Sequence, residues 1–188
     1  MKIQKLDKKD HSRVISFALK GMNFEKYIKS KLLLKAYGRY FWYLEYTHAT
    51  QVIAAYEGEE LLGVLVADMK GEPKPYTSFW KGLYVGFVDF MQRVLFRGGV
   101  MPYNEANNAM YAKYAASHTP DGEIRFLAAN PDSRLKGIGT FLLDELKRRE
   151  AGKEIYLFTD TNCTYQFYEH RGFERVGEQE IVLELQEK

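Results

Sequence analysis

Arg134-Leu135-Lys136-Gly137-Ile138-Gly139 puts two cations and two glycines within six residues. An apolar run, Ile124 to Ala129, precedes it, and an amphipathic one, Phe141 to Leu146, follows it. That order reads as strand, glycine loop, helix. Glycine carries no Cβ, so the backbone can curl tightly. The amides of the loop and of the first helical turn, Leu135 to Thr140, then converge on one point. With the positive end of the helix dipole they make an anion site suited to a pyrophosphate. Arg134 and Lys136 add positive charge beside it.

Other kinds of glycine loop fit poorly. A P-loop needs Gly-x-x-x-x-Gly-Lys-Ser/Thr, and no such string occurs. A dinucleotide fingerprint needs a third glycine where this chain has Leu142. Too little chain follows the loop for the repeated βαβ units of that fold. Metal chemistry is also disfavoured. His11, His48, His118 and His170 are scattered, and Cys163 has no thiol partner. Cys163 reads as a small buried hydrophobe, and His170 as a contact with a helix C-terminus.

Several elements must position this loop. Residues 2–7 read as a short strand, and Asp10 as the cap of a helix reaching about Lys20. The spacing predicts a second helix over 23–36, while 37–48 is aromatic-rich and ambiguous. Gln51–Glu57 and Leu61–Met69 form a hairpin across Gly58-Glu59-Glu60. Gly71, Pro73 and Pro75 then break the chain. Between about 70 and 120 the pattern predicts a helical-hairpin insertion. Its first helix, 77–97, has a bulky aromatic face, and its second runs from Pro102 to about Ser117. A strand over 122–129, a helix over 137–150, a strand over 154–160, a helix over 162–171 and a last strand over 173–186 complete the series.

Composition narrows the class. Hydrophobic residues make up 46% of the 188, enough for one large core, so 1–188 reads as a single domain. A net charge of +2 gives no electrostatic reason to expect nucleic acid. One cysteine allows no internal disulfide and fits a reducing, cytoplasmic setting. The N-terminus lacks the apolar core of a signal peptide. No apolar run approaches the roughly 20 residues of a membrane span.

The flanks of the glycine loop carry a resemblance. Leu127-Ala128-Ala129-Asn130-Pro131-Asp132-Ser133 precedes it. Asn162 and Tyr165-Gln166-Phe167-Tyr168-Glu169-His170-Arg171-Gly172-Phe173 follow it, one strand later. In this order they resemble the Arg/Gln-x-x-Gly-x-Gly/Ala signature and the "Phe-Tyr-Glu-x-x-Gly-Phe" helix of the GNAT superfamily of N-acetyltransferases. The likeness is strong over about 122–178 and topological over 1–70. The stretch 70–120 departs from the basic fold.

The resemblance implies an α/β (α+β) fold, with a mostly antiparallel, twisted central sheet flanked by helices. It implies acetyl-CoA as cosubstrate and no metal. The amides of Leu135, Lys136, Gly137, Ile138, Gly139 and Thr140, with Arg134 beside them, would hold the pyrophosphate. The edge of the strand at Leu127, Ala128 and Ala129 would bond the pantetheine arm, where that strand splays from 154–160. Asn162 and Tyr165 would also contact the cofactor.

An amine attacking a thioester must first lose a proton. The oxyanion that develops wants N–H donors, for which Leu127 or a neighbour is placed. The leaving thiolate wants an acid. Tyr168 sits at the family's acid position. Glu123 is the candidate base, because a separation of four along a strand puts it on the face of Leu127. Glu123 also reads as a strand carboxylate paired with Arg125. Tyr84, Tyr103, Glu105 and Tyr111 are candidates for the acceptor pocket. Helix 77–97 reads as a core cap, a homodimer face or a pocket wall, and its sparse mixed charges argue against a membrane role. The acceptor is a small-molecule or peptide amine. The competing reading is a non-catalytic acyl-CoA-binding module that uses the insertion as a partner surface.

Overall fold

The structure is a computed structural model and describes residues 1–26, 28–95, 101–160 and 163–180. Five strands form one sheet in the order β1-β2-β3-β4-β5. They are β1 (Lys2–Gln4), β2 (Gln51–Glu57), β3 (Glu60–Met69), β4 (Gly122–Ala129) and β5 (Ile155–Tyr156). Neighbours run antiparallel except β4 and β5, which are parallel. The expected mixed, mostly antiparallel sheet is therefore present. Helices cover both faces, so β2 and β3 read as nearly continuous apolar runs rather than as alternating ones.

One face carries α1 (His11–Gly21) and α2 (Lys31–His48). Val14, Phe17, Ala18 and Trp42 pack there on Val52, Ala54, Val64, Val66 and Phe126. The other face carries α5 (Ile138–Arg149), whose Ile138, Leu142, Leu143 and Leu146 pack on Ile53, Leu62, Leu65 and Ile124. Each buried Val, Leu, Ile or Phe among them stabilises the fold by about 1.5–3 kcal/mol relative to exposure. Trp42 is fully buried and its indole N–H donates to His11 Nδ1 at 2.8 Å, so His11 serves as the neutral acceptor. Burial, followed by nearby Lys81, holds the His11 pKa below its ordinary value.

The ends of the chain's first elements differ from expectation. Asp7, not Asp10, supplies a cap, accepting from Lys9 N–H at 3.0 Å. Asp10 is instead buried, accepting from Tyr56 Oη at 2.9 Å and from Arg13. The helix expected over 23–36 begins only at Lys31 and runs through the ambiguous stretch to His48. Asn23 adopts a left-handed φ of 53°, which ends the preceding helix. Ser30 Oγ accepts from Leu33 N–H and starts the new one. The hairpin turn is Gly58-Glu59, since Glu60 already pairs with Glu57.

Between β3 and β4 lie α3 (Phe79–Leu95) and α4 (Met101–Ala115), the expected helical pair. Tyr40 Oη donates to Asp89, Tyr43 meets Tyr84 edge-on and Lys81 lies over the Tyr46 ring, so α3 lies antiparallel along α2; Tyr84 Oη also donates to the Ala36 carbonyl. Beyond α5, order in the chain is thinner than expected. Only Ile155 and Tyr156 of 154–160 join the sheet, and α6 spans just Gln166–Glu169. Residues 173–180 form no strand, and the rest of the expected last strand, 181–186, lies outside the described residues.

Candidate functional site

The glycine loop is built from local side-chain turns. Asn130 N–H donates to the Leu62 carbonyl, which fixes the end of β4 to β3. Asn130 Oδ1 accepts from Asp132 N–H at 3.0 Å, and Ser133 Oγ accepts from Leu135 N–H at 3.2 Å. These bonds are why Asn, Asp and Ser occupy a turn. Asp132 is held by Lys20 at 2.8 Å. Arg134, Leu135, Lys136 and Gly137 are exposed, whereas Ile138 is buried and anchors α5.

Gly137 caps α5 with φ 79°, a left-handed conformation open to glycine. No side chain caps the helix there, and no protein atom lies within 4 Å of where a Cβ would stand. The first N–H groups of a helix have no acceptor within it. Those of Ile138, Gly139 and Thr140 therefore face outward, at the positive end of the dipole. Arg134 and Lys136 make no ion pair among the described residues. This is an arrangement suited to an anionic group.

Beside it, β4 loses its second neighbour. It pairs with β3 along its whole length, but with β5 only at Gly122 and Glu123. From Ile124 to Ala129 the side of β4 away from β3 has no ladder partner among the described residues. An open edge of this kind can bond an extended ligand as if it were a strand. Leu127 is half-buried, Ala128 buried and Ala129 exposed along it.

Helix α6 is fastened to the first turn of α5. A Cβ at Gly139 would stand 2.9 Å from Cζ of Phe167, so the second glycine is demanded by space rather than by conformation. Arg171 Nε donates to Thr140 Oγ1 at 2.9 Å, its Nη1 donates to the Phe167 carbonyl, and its guanidinium stacks 3.8 Å from the Phe167 ring. Tyr168 is held edge-on between the rings of Phe167 and Phe173. Its hydroxyl makes no hydrogen bond among the described residues. Burial, then nearby Cys163, pushes the Tyr168 pKa up to about 12, so the phenol keeps its proton throughout the neutral range. Tyr165 is covered by the Arg175 guanidinium. Asn162 lies outside the described residues.

Glu123 lies at the other end of β4, where β5 is still paired. The strand carries an extra residue: Val66 opposes Phe126 while the next residue, Ala67, opposes Ile124, leaving Arg125 as a bulge. The bulge reverses the alternation. Ile124 and Leu127, three apart, both pack toward α5, whereas Phe126 and Ala128 pack toward α1 and α2. Glu123 is consequently not on the face of Leu127, and the inference from even spacing is corrected.

Glu123 instead joins a polar cluster. Its Oε2 accepts from Tyr156 Oη at 3.4 Å and lies 3.5 Å from Arg125 Nη1. Arg125 donates more closely, at 2.6 Å, to Glu45 of α2. Burial raises both carboxyl pKa values above the ordinary range, against the pull of Arg125. A cleft of about 310 Å³ opens here, lined by Asp68, Gly71, Lys74, Glu123 and Tyr156 among others. Tyr111 of α4 packs at a tilt against Tyr156 with ring centroids 5.1 Å apart. Tyr103, its pKa raised mainly by burial, lies within electrostatic reach of Glu123 and Cys163. Of the pocket candidates, Tyr111 thus adjoins this cleft. Tyr84 is spent on the α2–α3 contact, and Glu105 is exposed.

Glu45, Tyr156 and Arg171 were not assigned roles from sequence. Arg171 stands inside the quoted helix motif, and its spacing of four from Phe167 was an available signal for stacking. Glu45 offered only the oddity of a carboxylate between aromatic residues of one helix.

Residues 100–175 match the family model described as the acetyltransferase (GNAT) domain. The fold agrees with that match. The Pyrococcus horikoshii OT3 protein PH1933 superposes with a TM-score of 0.62 at 20% identity, covering 96% of this chain and 92% of that one. A structure described as histone acetyltransferase HPA2 and related acetyltransferase, from Corynebacterium glutamicum ATCC 13032, gives 0.60 at 17%, covering 96% and 88%. An N-acetyltransferase from Staphylococcus aureus Mu50 gives 0.53 at 14%, covering 97% and 94%. No curated protein sequence matches this chain significantly. Over residues 100–175 the chain is thus similar to the GNAT acetyltransferase domain, and its fold is shared with these structures. Among the described residues no cluster of His, Cys, Asp and Glu could hold a metal ion, and no helix is long and apolar enough to cross a membrane.

Proposed function

We propose that this protein is an acetyl-CoA-dependent N-acetyltransferase acting on a primary amine by direct attack, with both substrates bound together. The observation that carries the reading is a juxtaposition. The uncapped N-terminus of α5, the unpaired edge of β4 and the Tyr168 phenol are held around one helical turn through Gly139–Phe167 and Thr140–Arg171 contacts.

The residues fit the cosubstrate. Open space at Gly137 and the outward amides of Ile138, Gly139 and Thr140 suit a pyrophosphate, with Arg134 and Lys136 adding charge. The Leu127–Ala129 edge suits the amides of a pantetheine arm. Acetyl-CoA supplies the activated acetyl group as a thioester. Tyr168, neutral up to about 12, donates a hydrogen bond or a proton toward the departing sulfur. Glu123, in its cleft with Tyr156, accepts the proton that the amine must lose, directly or through water. Asn162 and Tyr165 add cofactor contacts by resemblance.

Calorimetric titration with acetyl-CoA tests the first half, with Gly137→Asp as its control. Saturable binding by the native chain, abolished in the variant, is expected. Equal binding by both refutes the loop assignment. Release of free CoA in the presence of an amine panel tests the second half. Binding without release under any amine would favour the non-catalytic module.

A further inference from the structure

Helix α3 has two faces of opposite character. Its inner face is engaged with α2: Lys81 lies over the rings of Tyr43 and Tyr46, and Asp89 accepts from Tyr40. Its outer face is apolar. Phe79 and Trp80 are 76% exposed, and Leu83, Phe87 and Phe90 are 56%, 60% and 62% exposed. These five recur at three- and four-residue steps and so form one stripe. No described charged side chain of α3 lies on it.

The amount of surface argues for a specific cover. At about 150–250 Å² per aromatic side chain, these exposures leave roughly 500–700 Å² of apolar surface. That matches or exceeds the largest apolar patch of an ordinary monomer, about 300–600 Å². It approaches the roughly 800 Å² that each partner gives to a stable interface. A lipid surface is a poorer cover, because membrane-lying helices border their apolar stripe with Lys and Arg.

The stripe also has relief. Gly82 and Gly86 stand one turn apart among its bulky residues, and each Cβ position has no atom within 4 Å. Nothing among the described residues calls for glycine at either place, although glycine disfavours a helix interior. The pair makes a shallow groove, flanked by Leu83 and Phe87, into which a side chain from a facing helix can seat. A helix bearing both groove and ridge is complementary to itself across a two-fold axis.

We propose that α3 packs against the α3 of a second copy of this chain, forming an isologous dimer through the Gly82–Gly86 groove and the Phe87 ridge. Sedimentation velocity from about 1 to 100 μM, the range of ordinary weak to firm dimers, tests it on the full chain. The native protein should sediment as twice its 21.9 kDa mass. Leu83→Arg and Phe87→Glu should weaken the dimer by about 100-fold or more. Gly86→Leu, which fills the groove but keeps the face apolar, should weaken it by about 10-fold or more. All three positions are open to solvent, so melting temperature and helical circular dichroism are controls for folding. A native monomer at the highest concentration overturns the proposal. So does a dimer indifferent to all three variants. Flotation of the native monomer with phosphatidylcholine–phosphatidylserine vesicles, lost in Phe87→Glu, would assign the stripe to lipid and overturn it equally.

Discussion

Arg125 is the residue whose removal should be most informative. Its guanidinium lies 2.6 Å from Glu45 and 3.5 Å from Glu123, and the Arg125 and Glu45 side chains are only 21% and 9% exposed. Arg125→Met keeps the length and removes the charge, leaving a buried carboxylate unpaired. Breaking such a pair costs about 3–5 kcal/mol, and partial exposure of Arg125 places it near the lower end. The cost should depend on pH in a definite direction. Glu45 already has a pKa above its ordinary 4.5, because burial outweighs Arg125, and loss of Arg125 lifts it further. A carboxyl raised in the folded state contributes most at low pH, where both states are protonated. Stability then falls by about 1.4 kcal/mol per pH unit between the unfolded and folded pKa values, and levels off above the folded one. Urea denaturation of native and variant chains at pH 5, 6, 7 and 8 measures this. With a slope of roughly 2 kcal/mol per molar urea, a 3 kcal/mol loss moves the midpoint by about 1.5 M. The deficit should be largest at pH 8 and shrink toward pH 5. Adding Glu45→Gln should restore most of it at pH 8. A deficit under about 1 kcal/mol at pH 8 would refute the argument, since a buried pair that can be broken so cheaply is not a buried pair. A deficit equal at pH 5 and pH 8 would refute the assignment to Glu45.

Three further outcomes are expected. Tyr168→Phe should lower kcat for acetyl transfer by about 100-fold with acetyl-CoA affinity unchanged, measured by thiol release and calorimetry; an unchanged kcat removes Tyr168 from the chemistry. Glu123 has a pKa raised by burial, so kcat/KM should rise with pH through a point above the ordinary 4.5, and Glu123→Gln should flatten that rise; a pH profile identical to native would name another base. Gly139→Ala should cost about 1–2 kcal/mol net, overpacking against Phe167 outweighing alanine's helical advantage, and Phe167→Leu should relieve it in thermal melts; stabilisation by the alanine would show that the ring yields freely.

The glycine loop and the helix it opens were legible because their causes are local. A positive φ at Gly137, turn residues at Asn130 and Ser133, and the apolar period of α5 are each written within a few positions. The hairpin and β4 were legible for the same reason. What failed needed information from elsewhere in the chain. The face of Glu123 depends on a bulge at Arg125, which exists because β3 and β4 differ by one residue in register. The start of α2 turned on Asn23 and Ser30, two small polar residues whose capping roles outweigh the apolar spacing around them. Glu45 and Arg125 are separated by β2, β3 and the helical pair, and only the folded sheet shows them as partners.

The Arg171 clamp has a consequence for how binding would be felt. One side chain bonds Thr140 in the first turn of α5, bonds the Phe167 carbonyl at the start of α6, and stacks on the ring that Gly139 accommodates. The uncapped amides at the start of α5 and the helix that presents Tyr168 therefore share one fastening. A ligand that steadies residues 137–140 must also slow amide hydrogen exchange in 166–171, although it touches none of those amides. Arg171→Lys would keep the charge yet lose the fork and the stack, and would let the two segments exchange independently.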